Sequence, residues 1–299
     1  MNVLSLFDGM SCGQVALHRA GIHVDNYYAS EIDKYAIDVA KNNWPNTIHM
    51  GDVSKIKGTD FNHPIDLLIG GSPCQGFSMA GKGLNFEDSR SVLFFEFVRL
   101  LNELKPKHFM LENVKMNPES IKVINWYLGV EPIAIDSSLV SAQSRKRLYW
   151  TNIPSVEQPR DKGINLIEIL EKLPDCPIGV GVRKKSCCIR VGGRNSPYGA
   201  KQIWDSPFQK ISRKGKVKLS NLKSSCLLSS SGGNHSDMDL IHTEFITRRY
   251  SITECERLQT LPDGYTEGVS NTQRYKMLGN GWTVDVIAHI LKNISQTGR

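Results

Sequence analysis

The chain predicts an α/β protein: a doubly wound, mostly parallel sheet accompanied by a second, smaller basic domain. Three observations predict it. Short apolar runs alternate with stretches at helical spacing through the first half of the 299 residues. Those runs end repeatedly at an acid or a glycine. From about residue 154 to residue 247 the alternation disappears, and Gly, Ser, Pro and basic residues dominate.

The elements follow in order. Val3–Phe7 is an apolar run ended by Asp8-Gly9, and Gln14–Ala20 follows at helical spacing up to a stop at Gly21. Tyr27–Ser30 reads as a second strand closed by Glu31-Ile32-Asp33, with a helix over Tyr35–Asn42 behind it. A short third strand, Thr47–Met50, meets Gly51-Asp52, and a fourth, Ile65–Ile69, meets Gly70-Gly71. A helix from about Ser91 to Leu104 stops before Pro106, and a fifth strand, His108–Leu111, ends at Glu112-Asn113. Ligands of doubly wound sheets bind outside the carboxyl ends of the strands. Asp8, Glu31, Asp52, Cys74 and Glu112 are therefore predicted to converge on one cleft, acid-rich on one side and thiol/carboxylate on the other. Ile252–Leu261 and Val284–Ile294 read as helices again. The predicted division is residues 1–153 with 248–299 as one domain, and 154–247 as the other.

Composition narrows the function classes. With 40% hydrophobic and 22% charged residues the chain is an ordinary globular protein, and no apolar run approaches the roughly 20 residues of a membrane span. The first residues, Met1 to Phe7, carry no basic segment and meet Asp8, which is unlike a secretory signal, so a cytoplasmic protein is expected. Seven cysteines, an odd number without a CxxC pair, argue against a disulfide framework and against a zinc site; no metal is expected. The net charge of +7 is concentrated: twelve Lys/Arg lie between Arg183 and Lys223 against one acid, Asp205. Such a stretch suits a polyanion, although a solvated basic loop region has the same composition.

Four segments carry chemistry. Phe7-Asp8-Gly9-Met10-Ser11-Cys12-Gly13 is a strand-to-helix turn with neither the GxGxxG nor the Walker A pattern; Glu31 is placed to grip ribose hydroxyls, and Asp52 to accept from an adenine amino group. Together they suit an adenosine-containing cofactor not anchored through phosphates, while singly each is also an ordinary strand-end residue. Cys74, in Gly71-Ser72-Pro73-Cys74-Gln75-Gly76-Phe77-Ser78, follows a strand and precedes a small-residue stretch, the setting of a nucleophilic thiol and not of an inert core cysteine. Glu112 ends its strand in an apolar run, where a carboxyl serves as a proton donor or, more plainly, as a capping or salt-bridged acid. Gln143, Arg145 and Arg147 are expected on one strand face by period two, suiting an oxygen-rich ligand, though a solvated charge run has the same pattern.

Taken in order, these segments resemble the DNA (cytosine-5) methyltransferase family over most of the chain outside the basic region. Pro73-Cys74-Gln75 is similar to its Pro-Cys nucleophile motif, Glu112-Asn113-Val114 to its Glu-Asn-Val motif, and Gln143-x-Arg145-x-Arg147 to its Gln-x-Arg-x-Arg motif. Arg248 with Glu254, Arg257, Leu258 and Gln259 resembles the motif framing the recognition domain, and Gly279-Asn280 the last motif. Ser11-Cys12 stands where bacterial members have Gly-Gly, Ser72 where they have proline, and Gly281-Trp282 where Ser-Val is usual; similar changes occur in the animal de novo methyltransferases. The short length resembles a prokaryotic or phage enzyme.

The resemblance implies a Rossmann-like fold and S-adenosylmethionine as cofactor. Phe7, Asp8 and Gly9 would lie near its amino-acid end, Glu31 on the ribose, Ile32, Asp52 and Val53 about the adenine, with Trp282 and Thr283 completing the pocket. It implies Cys74, Glu112 and Arg145 as catalytic residues, and Pro73, Gln75, Ser78, Gln143, Arg147 and Arg248 along the DNA or the target base. The implied partner is double-stranded DNA, with a cognate restriction endonuclease acting separately and a monomer as the working form. A transfer-RNA cytosine-5 methyltransferase on the same scaffold and a catalytically silent DNA-binding homologue are the alternatives.

Overall fold

The computed structural model describes residues 1–72, 89–171 and 250–294, together with seven short strand pieces between 186 and 249. The chain gathers into two compact units: Met1–Ile135 with Lys146–Gln158 and Val286–Arg299, and Asp136–Arg145 with Pro159–Asp285.

The first unit is built on β1 (Asn2–Leu6), β2 (Asn26–Ser30), β3 (Ile48–His49), β4 (Leu67–Gly71), β5 (His108–Val114), β6 (Ile133–Asp136) and, past the separate two-residue β7 (Gln143–Ser144), β8 (Lys146–Thr151). Their order in the sheet is β3-β2-β1-β4-β5-β8-β6. The pairs β1–β2, β2–β3, β1–β4 and β4–β5 are parallel, whereas β8 runs antiparallel to β5. Strands covered on both faces read as continuous apolar runs, and Leu4, Leu6, Leu67, Leu68 and Ile69 are fully buried accordingly. The strand order reverses between β1 and β4, so the topological switch lies where Phe7-Asp8 and Ser72 leave the sheet.

Helices α1 (Cys12–Arg19), α2 (Lys34–Asn43), α3 (Ser89–Leu104) and α4 (Pro118–Leu128) lie between the strands in sequence. Helix α2 begins where the Asp33 carboxylate accepts the Tyr35 amide at 3.0 Å, and it buries Ala36, Val39 and Ala40 along one stripe. Helix α4 starts at Asn117, whose side chain accepts from the Ser120 amide at 2.7 Å, takes Pro118 at its first position and closes on Gly129 at φ +68°. Phe94, Phe97 and Leu100 of α3 enter the core with Leu68, Leu111 and Trp150. The buried Trp150 indole donates to Asn125 Oδ1 at 2.7 Å, so its one polar atom is satisfied. Gly70 is fixed by close approach: a Cβ there would lie 3.1 Å from the Phe97 ring and 3.2 Å from the Leu6 carbonyl.

The second unit contains α5 (Leu166–Ile169), α6 (Ile252–Leu258) and α7 (Asn271–Asn280). A capping box opens α6: Ser251 Oγ accepts the Glu254 amide at 3.2 Å, and Glu254 Oε2 accepts the Ser251 amide at 2.8 Å. The helix stops at Leu258, short of the expected Leu261, because Thr260 takes a left-handed φ of +55°. Helix α8 (Val284–Leu291) starts at the boundary of the two units.

One sequence expectation is corrected. Gln143, Arg145 and Arg147 do not share a strand face, because β7 and β8 belong to different sheets and Arg145 lies between them. The cause is Asp136. Its Oδ1 takes the Arg145 amide at 3.0 Å and its Oδ2 takes the Ser144 hydroxyl at 3.0 Å, so that amide is diverted from a continuous ladder.

Candidate active site

The acid-rich part forms on the turn after β1. Phe7, Gly9 and Ser11 all have positive φ, 57°, 60° and 61°. Two non-glycine residues in that region within five positions make a strained turn, of the kind that clusters at ligand sites. It is held from two sides. The Asp8 carboxylate accepts from Tyr27 OH at 2.6 Å and from the Ser11 hydroxyl, and Glu31 Oε2 accepts the Gly9 amide at 2.8 Å. Glu31 Oε1 accepts the amides of Ile32 and Asp33, each at 2.8 Å. Burial pushes the Asp8 carboxyl up to about 6, with the Glu31 charge adding to the rise and the Ser11 and Tyr27 hydroxyls opposing it.

Ile32 presents an uncovered apolar side chain, 77% exposed, beside these acids in the sequence. Asp52 caps the short turn Val53–Lys55, accepting the Ser54 amide at 3.0 Å and its hydroxyl at 2.9 Å; those bonds hold its carboxyl below the usual range. Val53 is buried. Tyr27, which fixes Asp8 from β2, carried no signal in the sequence, since its contact exists only once β1 and β2 pair, whereas Ser11 reaches Asp8 within the turn itself.

The second part lies at the ends of β4 and β5. Their parallel register pairs Gly71 with Glu112. Glu112 is buried, and its setting is not purely apolar: Arg147 Nε of β8 stands 3.0 Å from its Oε1. The salt-bridged alternative from the sequence thus describes its state here. One residue further on, the Asn113 carboxamide donates to the Ser72 hydroxyl at 3.1 Å and to the Ser72 carbonyl at 3.3 Å. Pro73, Cys74, Gln75 and Ser78 lie outside the described residues.

Within the second unit the remaining expected residues are internal. Gln143 is fully buried; its Nε2 donates to the Leu258 carbonyl at 2.9 Å and to Gln259 Oε1 at 3.3 Å. Gln143 is thus bonded into the local frame in this structure. Gln259 in turn donates to the carbonyls of Leu278 at 2.6 Å and Gly281 at 3.2 Å and accepts from Thr283 Oγ1 at 2.9 Å. The buried Arg145 guanidinium donates through both terminal nitrogens to the Gly279 carbonyl at 3.2 Å. Trp282 is half-buried and Thr283 buried. Arg248 lies on a short strand, Thr247–Arg249, paired antiparallel with Leu240–His242, and the structure describes only its backbone. Most of the basic region, Arg183 to Lys223, also lies outside the described residues.

Among the described residues no helix is long and apolar enough to cross a membrane, and no group of three or more His, Cys, Asp or Glu could hold a metal ion.

The fold and site therefore define an α/β protein of the doubly wound class, with acids at the carboxyl ends of adjacent strands and a carboxylate–guanidinium pair between β5 and β8. The chain belongs to the C-5 cytosine-specific DNA methylase family, whose profile matches residues 1–120 and 194–296. It is 28% identical to the type II methyltransferase M1.ScrFI of Lactococcus lactis subsp. cremoris, over 98% of this chain and 77% of that protein. It is 45% identical to the orphan methyltransferase M.SPRI of Bacillus phage SPR, over 51% of this chain and 38% of the phage protein. Among solved structures, the methyltransferase EhMeth of Entamoeba histolytica matches with a TM-score of 0.70 at 16% identity, covering 100% of this chain and 99% of the other.

Proposed function

We propose that the protein transfers a methyl group from S-adenosylmethionine to C5 of a cytosine rotated out of double-stranded DNA. The observation that carries this reading is the register of β4 and β5. The strand leading into Pro73-Cys74 and the strand carrying Glu112 end side by side, with Gly71 opposite Glu112. A nucleophile three residues past one strand end in the sequence and a carboxyl on the neighbouring strand end are the pair that attack on a pyrimidine ring requires.

The residues present fit the cofactor. Glu31 is oriented by three backbone amides, and since a carboxylate offers about four acceptor positions, it can still take a ribose hydroxyl. Ile32 offers an uncovered apolar face for adenine, and Asp52, engaged by Ser54 through Oδ1, offers Oδ2 to the adenine amino group. Phe7, Asp8 and Gly9 receive the amino-acid end, where the Asp8 carboxylate suits an ammonium ion, and Val53 adds to the adenine side. When bound, the cofactor supplies an electrophilic methyl on a sulfonium.

The chain's own residues then act on the base. A ring atom inside the duplex is out of reach, so the cytosine leaves the stack. The Cys74 thiolate adds to C6, forming a C6–S bond. Glu112, which must first take up a proton from solvent, holds the N3/N4 edge and passes that proton to N3 as charge develops there, and Arg145 stabilises O2. C5 becomes nucleophilic and is methylated, N3 returning its proton to Glu112; loss of the C5 proton to water re-forms the C5–C6 double bond and expels Cys74 as thiolate. Arg147, paired with Glu112, keeps that carboxyl in place. Residues 154–247 act as the recognition domain, Arg248 at its edge, with the Lys/Arg of 183–223 neutralising phosphates. Gln143 supports this frame from within. The protein works as a cytoplasmic monomer, with any cognate restriction endonuclease acting separately.

Replacement of Cys74 by alanine is expected to abolish methyl transfer while S-adenosylmethionine affinity stays within about twofold. Full activity in that variant overturns the covalent route.

A further inference from the structure

We infer that Ser72 and Asn113 form a buried latch that positions the nucleophile's strand end, with Ser72 as a positioning residue for the reaction. The inference rests on the reading of Cys74 as nucleophile and adds to it a residue outside the catalytic set.

The latch follows from the register. The backbone pairing of β4 and β5 runs in step from Leu67–His108 to Gly71–Glu112. The next position in that register would set Ser72 against Asn113. There the carboxamide bridges the two strands: Asn113 Nδ2 donates to Ser72 Oγ at 3.1 Å and to Ser72 O at 3.3 Å, while Asn113 Oδ1 accepts the Val114 amide at 2.8 Å. Both ends of the carboxamide are therefore fixed, and its donor reaches two acceptors on one residue. Ser72 is 5% exposed and Asn113 2% exposed, so water cannot substitute for either bond. Ser72 lies two positions before Cys74, and Asn113 is next to Glu112. One amide thus ties the strand end that carries Glu112 to Ser72, two residues ahead of Cys74 in the sequence. Proline, the residue bacterial members of the family place here, has no hydroxyl, so the Ser72 Oγ contact is one that residue could not make.

A latch of this kind sets orientation and not binding. Misplacing a reacting group by about 1 Å costs on the order of a hundredfold in rate. The expected order of rates is wild type, then Ser72→Ala, which keeps only the longer bond to the carbonyl, then Asn113→Asp, which loses both donors and turns a carboxylate on two acceptors.

The test measures the rate of covalent adduct formation with duplex DNA containing 5-fluorocytosine, read as a shift on denaturing gels. S-adenosylmethionine affinity and thermal unfolding are measured on the same preparations. Ser72→Ala is expected to slow adduct formation by about ten- to a hundredfold, with cofactor affinity within about twofold and an unchanged KM for DNA; Ser72→Thr, which restores the hydroxyl, is expected to recover most of the rate. An adduct rate in Ser72→Ala within about twofold of wild type overturns the latch, as does a loss confined to melting temperature with full activity per folded molecule. If Asn113→Asp does not fold, the Ser72 pair decides alone. If the wild-type protein forms no adduct at all while methylating DNA, the failure is that of the covalent reading and with it of the latch built on it.

Discussion

Replacing Asp8 by asparagine should flatten the pH dependence of S-adenosylmethionine affinity. Burial sets the Asp8 carboxyl at about 6 in the free protein. Only the ionised form holds an ammonium ion well. At pH 5, one unit lower, about one carboxyl in eleven is ionised, so the apparent Kd should rise about tenfold relative to pH 7.5, about 1.4 kcal/mol. Stability of the unliganded protein moves with the same sign of proton but the opposite benefit. A fold that raises this pKa from 3.8 to about 6 favours the neutral acid, so the contribution is complete below about 4 and is lost as pH climbs through 6. Asparagine is neutral throughout, and the hydroxyls of Tyr27 and Ser11 can rotate to suit its amide. The variant should therefore bind the cofactor weakly at every pH and gain stability at pH 7.5 relative to wild type. Calorimetric titration without DNA from pH 5 to 8, with thermal unfolding alongside, measures both. A wild-type affinity that does not change over this range, or an asparagine variant that keeps the tenfold slope, refutes the reasoning.

Three further outcomes are expected. Arg147→Met leaves the buried Glu112 carboxylate without its guanidinium, 3.0 Å away in the native protein, and should cost about 3–5 kcal/mol in chemical unfolding; a loss under 1 kcal/mol contradicts the pairing. Gly70→Ala sets a methyl against the Phe97 ring and the Leu6 carbonyl and should cost about 1–3 kcal/mol, read as a lower midpoint in urea without a change in slope. DNA affinity should fall linearly with salt on logarithmic axes, by about a thousandfold or more between 50 and 200 mM if roughly six phosphates are neutralised; binding insensitive to salt contradicts a phosphate role for the 183–223 region.

Much of the first unit was legible because its strands are buried on both faces and its turns end in acids or glycine. β1, α2 and β4 show that pattern within a residue or two of where it was read. Helix α4 was not among the elements read, although it carried its signals, Asn117-Pro118 at one end and Gly129 at the other. The break between β7 and β8 was not legible at all. It depends on Asp136, several residues away, capturing the Arg145 amide, and period-two counting assumes an unbroken ladder. Glu112 was readable as a strand-end acid, whereas its Arg147 partner comes from an antiparallel strand whose pairing no local pattern reports. Gln143 illustrates the converse: a polar residue in a charged run reads as surface, and its burial follows from Leu258 and Gln259, more than a hundred residues on.

The most direct test of the account is to incubate the protein with labelled S-adenosylmethionine and either unmethylated genomic DNA or transfer RNA, digest to nucleosides, and identify the product by mass. The account predicts 5-methyldeoxycytidine from DNA and no label in RNA. Label confined to RNA, or absent from both, contradicts it.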